Sequence, residues 1–407
     1  MKKLATLLLT AVVGVALAPA AQADPHRGFA AIWGASPHAP TDGFGPSWGT
    51  VGFENQTVRQ VVRLNGGGPA LRIRLSNTYG TRPLKVTGAT IARTDVGAAV
   101  KPGSVRHLTF RGNRSATVPV GAQTSSDVAL FPVAPLSKLT VTLYLADPTG
   151  PATGHVFATA TSYRAAGDHR ADVAGEPFTE TTQSWFYLSA VEAVDTSPRP
   201  DTVVTFGDSI TDGAGATVDA DNRYPDELAE RLRGRKNVVN AGIGGNRVLN
   251  DSPCFGEKAT TRFARDALSQ PDVRTVIVLE GINDIGFPSF EHPCTTPATQ
   301  ITAEELIGGY RELIRQAHAK GVRVLGATLL PYKGAGYFTP EGEAIRDAVN
   351  EWIRTSGEYD GVIDLDRALA DPADPDKLLA AYDSGDALHP NDAGYRAMAE
   401  AVDLSLL

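Results

Sequence analysis

From residue 201 onward, apolar runs of strand length alternate with stretches of helix length, and no other feature constrains the chain as strongly. The runs 202–206, 238–240, 274–279, 322–330 and 362–365 predict strands. Between them, 224–233, 257–268, 302–320 and 341–355 predict helices, with a last one over 391–402. Parallel strands need long crossovers, and crossover helices cover both faces of the sheet they connect. The expectation is therefore an α/β fold with a doubly wound parallel sheet. In such sheets ligands sit at the carboxyl ends of the strands.

Upstream of residue 200 the periodicity changes. Leu71, Ile73 and Leu75 alternate with polar residues, as do Leu139, Val141, Leu143 and Leu145. Period two marks half-buried strands. Several such runs, broken by Gly, Pro and Asn, predict an all-β sandwich over 24–195, accessory to the unit at 201–407. Residues 193–200, Ala-Val-Asp-Thr-Ser-Pro-Arg-Pro, read as the linker. The aromatics Trp33, Phe44, Trp48 and Phe53 could stack on sugars, but packing in a core or between domains is the simpler expectation.

A chain with 42% hydrophobic and 21% charged residues can bury a core, which excludes wholesale disorder. The formal net charge is −8, from 38 basic and 46 acidic residues. That excludes the basic face of a nucleic-acid binder and adhesion to anionic membranes. Lys2 and Lys3, an apolar run over 4–18 and the Ala21-Gln22-Ala23 site predict a signal peptide over 1–23. The apolar run is short for a membrane span. The expectation is a secreted, monomeric protein without a stable membrane anchor. In that compartment the two cysteines, Cys254 and Cys294, are expected to form a disulfide. No zinc, Walker or dinucleotide signature occurs, so neither metal nor cofactor is expected.

Three predicted strands and one late loop end in chemistry-bearing residues. The first strand runs into Gly207-Asp208-Ser209-Ile210, the second into Asn240-Ala-Gly-Ile-Gly-Gly245, and the third into Gly281-Ile-Asn283-Asp284. Asp386-Ala-Leu-His389 precedes the last helix, for which Asn391 or Asp392 is a natural N-cap. Acyl transfer needs a hydroxyl activated by an adjacent base, and imidazole can take and return that proton. A carboxylate orients the imidazole, and donors must meet the developing oxyanion. The chain offers one of each. Asp386 and His389 can pair only if their loop curls back. Asp208 and Asp284 read as structural hydrogen-bonders, and the remaining histidines as surface or satisfied core residues.

In this order the four blocks resemble the GDSL family of serine esterases and lipases, also called SGNH hydrolases, over about 201–407. Ile210 stands where the family name has Leu. The resemblance implies a flavodoxin-like sheet and metal-free hydrolysis of acyl esters. By position, Ser209 would be nucleophile, His389 base and Asp386 its orienting acid. The Ser209 and Gly245 backbone N–H groups and the Asn283 amide would form the oxyanion hole, with Gly242 and Gly244 close enough to compete for the glycine role. The Gly-x-Ser-x-Gly elbow of ordinary α/β-hydrolases is absent. The substrate would be a small-molecule, lipid or glycan ester. A carbohydrate O-deacetylase and a non-catalytic glycan-binding protein are the rival readings.

Overall fold

The structure, a computed structural model, describes residues 28–194 and 201–407. The expected signal peptide and most of the expected linker lie outside them. The C-terminal region is built on β1 (Thr202–Gly207), β2 (Asn237–Gly242), β3 (Val273–Leu279), β4 (Arg323–Ala327) and β5 (Gly361–Ile363). All are parallel, in the order β2-β1-β3-β4-β5. Val203, Val204 and Phe206 of β1 and Val276, Ile277 and Val278 of β3 are buried, whichever face they point to. Burial on both faces is why these strands read as continuous apolar runs. The chain steps from β1 to β2 on one side and then to β3 on the other. That reversal opens a crevice at the carboxyl ends of β1 and β3.

The crossovers are the helices Tyr224–Leu232, Ala259–Asp266, Ala303–His318 and Pro340–Thr355. Their starts are written in local chemistry. Thr302 and Glu305 form a reciprocal capping box, and Thr339 caps a helix whose first residue is Pro340. Asn391 Oδ1 accepts from the N–H groups of Ala393 and Gly394, fixing the start of Asp392–Ala401. Two expected strands end early. The run 322–330 leaves the ladder at Ala327, where its short neighbour β5 also ends. Leu365 opens a helix instead of closing a strand, because the Asp364 side chain accepts from the Arg367 N–H.

The N-terminal region is built on two large antiparallel sheets, with two short two-stranded ones beside them. Of the large sheets, one places Leu188–Val194 between Phe29–Gly34 and Gly68–Ser76, and the other places Lys138–Leu145 between Gln56–Arg63 and Gly88–Arg93. Leu71, Ile73 and Leu75 of the first sheet share one core with Leu139, Val141, Leu143 and Leu145 of the second. Trp33 and Phe53 are buried in it. A single helical turn, Trp48–Val51, interrupts the strands, started by the Ser47 hydroxyl.

The two regions do not hang on a linker alone. Phe29–Gly34 lies against β2, and Ala31 is part of the C-terminal core. Gly34 permits this approach, since a Cβ there would sit 2.9 Å from Val239 Cγ1. Asn65 Nδ2 donates to the Val238 carbonyl at 3.0 Å.

Candidate active site

Ser209 is the first residue of a one-turn helix, Ser209–Asp212, that starts where β1 stops. The Asp208 side chain caps it by accepting the Ile210 N–H at 3.0 Å. As the first helical residue, Ser209 has an N–H outside the intrahelical ladder. Its Oγ lies 2.8 Å from His389 Nε2, across 180 residues of sequence. His389 Nδ1 lies 2.6 Å from Asp386 Oδ2. The loop does curl back. Ala387 has φ +58°, and Asp383 Oδ1 accepts from the Gly385 and Ala387 N–H groups. The other Asp386 oxygen accepts from the Leu388 and His389 N–H groups at 3.0 and 2.8 Å. The imidazole beside it and these bonds hold the Asp386 carboxyl well below the usual carboxylate range.

The glycine turn follows β2, and its N–H groups can be accounted for one by one. That of Gly242 goes to Asn240 Oδ1 at 2.8 Å, and that of Gly244 to Asp212 Oδ2 at 2.9 Å. That of Gly245 has no acceptor among the described residues. Gly245 has φ +72°, and a Cβ there would lie 2.4 Å from the Phe255 ring, so the position demands glycine. Asn283 follows β3 in the short helix Ile282–Gly286. Its Nδ2 donates one N–H to the Asn246 carbonyl at 3.0 Å, and its Oδ1 accepts from the Tyr337 hydroxyl. A primary amide has two N–H groups, so one is left over. Ser209, Gly245, Asn283, Asp386 and His389 line one cavity of about 690 Å³. A larger concavity lined by Glu227, Arg231 and Arg396 shares no residue with it.

Asp284 accepts from the Val248 and Leu249 N–H groups at 2.7 and 2.9 Å, and burial pushes its pKa up to about 6. Burial also raises Asp208 and Glu280 above the carboxylate range. Cys254 and Cys294 face each other with Cα atoms 5.1 Å apart, within the span of a disulfide. Among the described residues no cluster of His, Cys, Asp and Glu is arranged for a metal ion. Nor, among them, is any helix long and apolar enough to cross a membrane.

Sequence reasoning missed the residues that hold this arrangement. Arg262, fully buried on the helix Ala259–Asp266, donates to Gly207 O and Ala241 O at 2.8 Å each. It also donates to Asn246 Oδ1 at 2.7 Å, and it faces Glu280 at 3.4 Å. One guanidinium thus ties together the ends of β1, β2 and β3. The signal in the sequence was its place between the apolar Ala259 and Phe263, three residues after one and one before the other, on the inward face of an amphipathic helix.

The second missed group lies in the other region. His155 Nε2 is 2.9 Å from Asp212 Oδ1, and its Nδ1 is 2.9 Å from Ser36 O. Both ring nitrogens face oxygen atoms, an arrangement that favours the doubly protonated ring. Burial opposes that charge, but Asp212 prevails and the His155 pKa is raised. Asp212 in turn holds the Gly244 N–H. Phe44 and Phe157, also from the N-terminal region, line the cavity with Phe255, Phe287 and Tyr337. The region expected to be accessory therefore touches the candidate site at two places.

Residues 205–397 match the model of the GDSL-like Lipase/Acylhydrolase family. A curated relative, the uncharacterized esterase YxiM of Bacillus subtilis (strain 168), is 36% identical over 128 residues, which are 29% of this chain and 30% of that protein. The match thus spans less than a third of that relative's length. Similar solved structures include a lipolytic protein of the G-D-S-L family from Desulfitobacterium hafniense DCB-2, at 22% identity and TM-score 0.38, covering 49% of this chain and 96% of that one. An acetyl xylan esterase, AlAXEase, shares 24% identity at TM-score 0.38, with 49% and 96% covered. The blocks at Ser209, Gly245, Asn283 and His389 all fall inside the matched segment, and residues 205–397 are a GDSL-like lipase/acylhydrolase domain.

Proposed function

We propose that the chain is a secreted carboxylic ester hydrolase that works through Ser209, His389 and Asp386 and an acyl-enzyme intermediate. The observation that carries this reading is the 2.8 Å contact of Ser209 Oγ with His389 Nε2, in a cavity also lined by Gly245 and Asn283. Ser209 Oγ attacks the ester carbonyl carbon as its proton passes to His389 Nε2. The Nδ1–H donates to Asp386, which stabilises the imidazolium that forms. The carbonyl oxygen becomes an oxyanion facing the Ser209 N–H, the Gly245 N–H and the free Asn283 amide N–H. His389 then protonates the departing alcohol oxygen, leaving the acyl group on Ser209. Water repeats the sequence in reverse, with His389 again as base, and the acid is released.

The strand order β2-β1-β3-β4-β5 supports the flavodoxin-like description of the hydrolase unit. We take 24–195 as an accessory β-sandwich domain and 201–407 as the hydrolase domain, Cys254–Cys294 as a disulfide, and the secreted form as a monomer. Kinetics on a p-nitrophenyl ester series test the proposal. Ser209→Ala should stay folded and lose several orders of magnitude of turnover. Retention of more than roughly a tenth of the wild-type rate would remove Ser209 as nucleophile. Wild-type protein inert on every ester would favour the rival of a non-catalytic glycan-binding protein.

A further inference from the structure

The cavity lining divides by what each residue touches. Phe44 lies over Gly244, with its Cζ 3.0 Å from where a Cβ would stand, and Phe255 lies against Gly245. The Tyr337 hydroxyl donates to Asn283 Oδ1. These three rings therefore back the side that would receive the oxyanion. Phe157 and Phe287 extend the wall: centroids are 5.3 Å apart for Phe157 and Phe44, 5.1 Å for Phe44 and Phe255, 5.7 Å for Phe255 and Phe287, and 6.1 Å for Phe287 and Tyr337. The opposite side is different. Gly215, Ser384, Gly385 and Asp386 line it around His389, and a Cβ on Gly215 would meet Ser384. Ala214 and Leu388 line it as well, so its residues are small or aliphatic and none is aromatic apart from His389 itself.

Chemistry then orients the ester. His389 must hand its proton to the alcohol oxygen, so the alcohol half lies on the His389 side. With the carbonyl oxygen in the oxyanion hole, the acyl half is directed to the aromatic side. The cavity volume of about 690 Å³ far exceeds what an acetyl group fills. Resting on the esterase reading above, we propose that the site selects esters of apolar acids well beyond acetate, and that Phe44 and Phe157, on loops of the N-terminal region, are specificity-determining residues of the acyl pocket. The alcohol half meets mixed polar and aliphatic surroundings without the aromatic wall.

Isomeric esters isolate the two halves. Ethyl hexanoate and hexyl acetate have the same formula and differ only in which half carries the chain. Titrating released acid with the full chain gives kcat/KM for each. A buried methylene contributes about fourfold to binding, so ethyl hexanoate should exceed hexyl acetate by at least tenfold. Phe44→Ala and Phe157→Ala should each lower that ratio severalfold. Phe44 is 42% exposed, so its replacement should leave the fold standing; Phe44→Leu, which keeps apolar bulk, should retain most of the preference. Equal rates for the isomers, faster hexyl acetate, or a ratio unmoved in both alanine variants would overturn the proposal while leaving the esterase reading intact. If wild-type protein cleaves neither isomer nor any p-nitrophenyl ester, the parent reading falls and takes this one with it.

Discussion

Replacing His155 tests whether the N-terminal sheets help to shape the active site. The ring is buried, stacks on Trp185 at 5.6 Å and bridges Ser36 O to Asp212 Oδ1. His155→Ala leaves the Asp212 carboxylate buried with one oxygen unpartnered. Breaking a buried ion pair in this way costs about 3–5 kcal/mol, and the melting temperature should drop on the order of 10 °C. Stability alone would not implicate the site. The other Asp212 oxygen holds the Gly244 N–H at 2.9 Å, one residue from the proposed oxyanion donor. Loss of an entire oxyanion donor costs about 10²–10³ in kcat. The variant removes no donor and only frees the turn that carries one, so that range is a ceiling. We expect kcat for a short ester, measured well below the variant's melting temperature, to fall tenfold or more with KM little changed. Asp212→Asn, which keeps an acceptor for Gly244 but loses the ion pair, should fall less. If His155→Ala melts lower yet keeps kcat within about twofold, far below any oxyanion-donor effect, the bridge holds the regions together and does not position the turn.

Three further outcomes are expected. A 201–407 fragment should aggregate or be inactive, because it lacks Ala31, Asn65, Phe44 and His155; a monomeric fragment with wild-type kcat and acyl preference would contradict the interface described above. Thiol titration of the denatured, unreduced protein should find no free thiol, and reduction should weaken binding of long acyl esters, since Cys294 packs on Phe255 and Phe287 of the acyl wall; two free thiols would end the disulfide reading. Stability should fall as pH rises above the ordinary imidazole value of about 6.5, where folded His155 and Glu280 still hold protons that the unfolded chain has given up. Asp208, Glu280 and His155 all have raised pKa values when folded, so each contributes stability that is present at low pH and lost as pH climbs through its folded value. His38, lowered to about 4 by burial, acts with the opposite sign, but only below the ordinary imidazole range. A melting temperature that rises with pH above about 6.5 would refute the assignment of signs.

What the sequence disclosed follows from the range of the forces involved. The parallel strands were legible because burial on both faces leaves an uninterrupted apolar run, and the helix starts because caps act within three residues. That Ser209, Asn283 and His389 meet at one cavity was legible because an open α/β sheet delivers strand ends to one edge, so order along the chain stood in for proximity. Gly245 could be separated from Gly242 and Gly244 only by asking where each N–H goes, and the deciding acceptor, Asp212, lies 32 residues from Gly244. His155 was harder still. One histidine among 8 has no local signature, and its partner lies 57 residues away in the other region. Arg262 and His155 share a logic. Each is a buried basic group whose desolvation is costly unless its donors are used, and each sets at least one of them on the segments that carry Ser209 and Gly245. A charge placed so deep is held by geometry from several elements at once, which is why its position in the sequence says so little. The same geometry makes it informative in the structure: strand ends and turns that are rigidly cross-linked can present N–H groups in fixed directions before any substrate arrives, which is what stabilising an oxyanion requires.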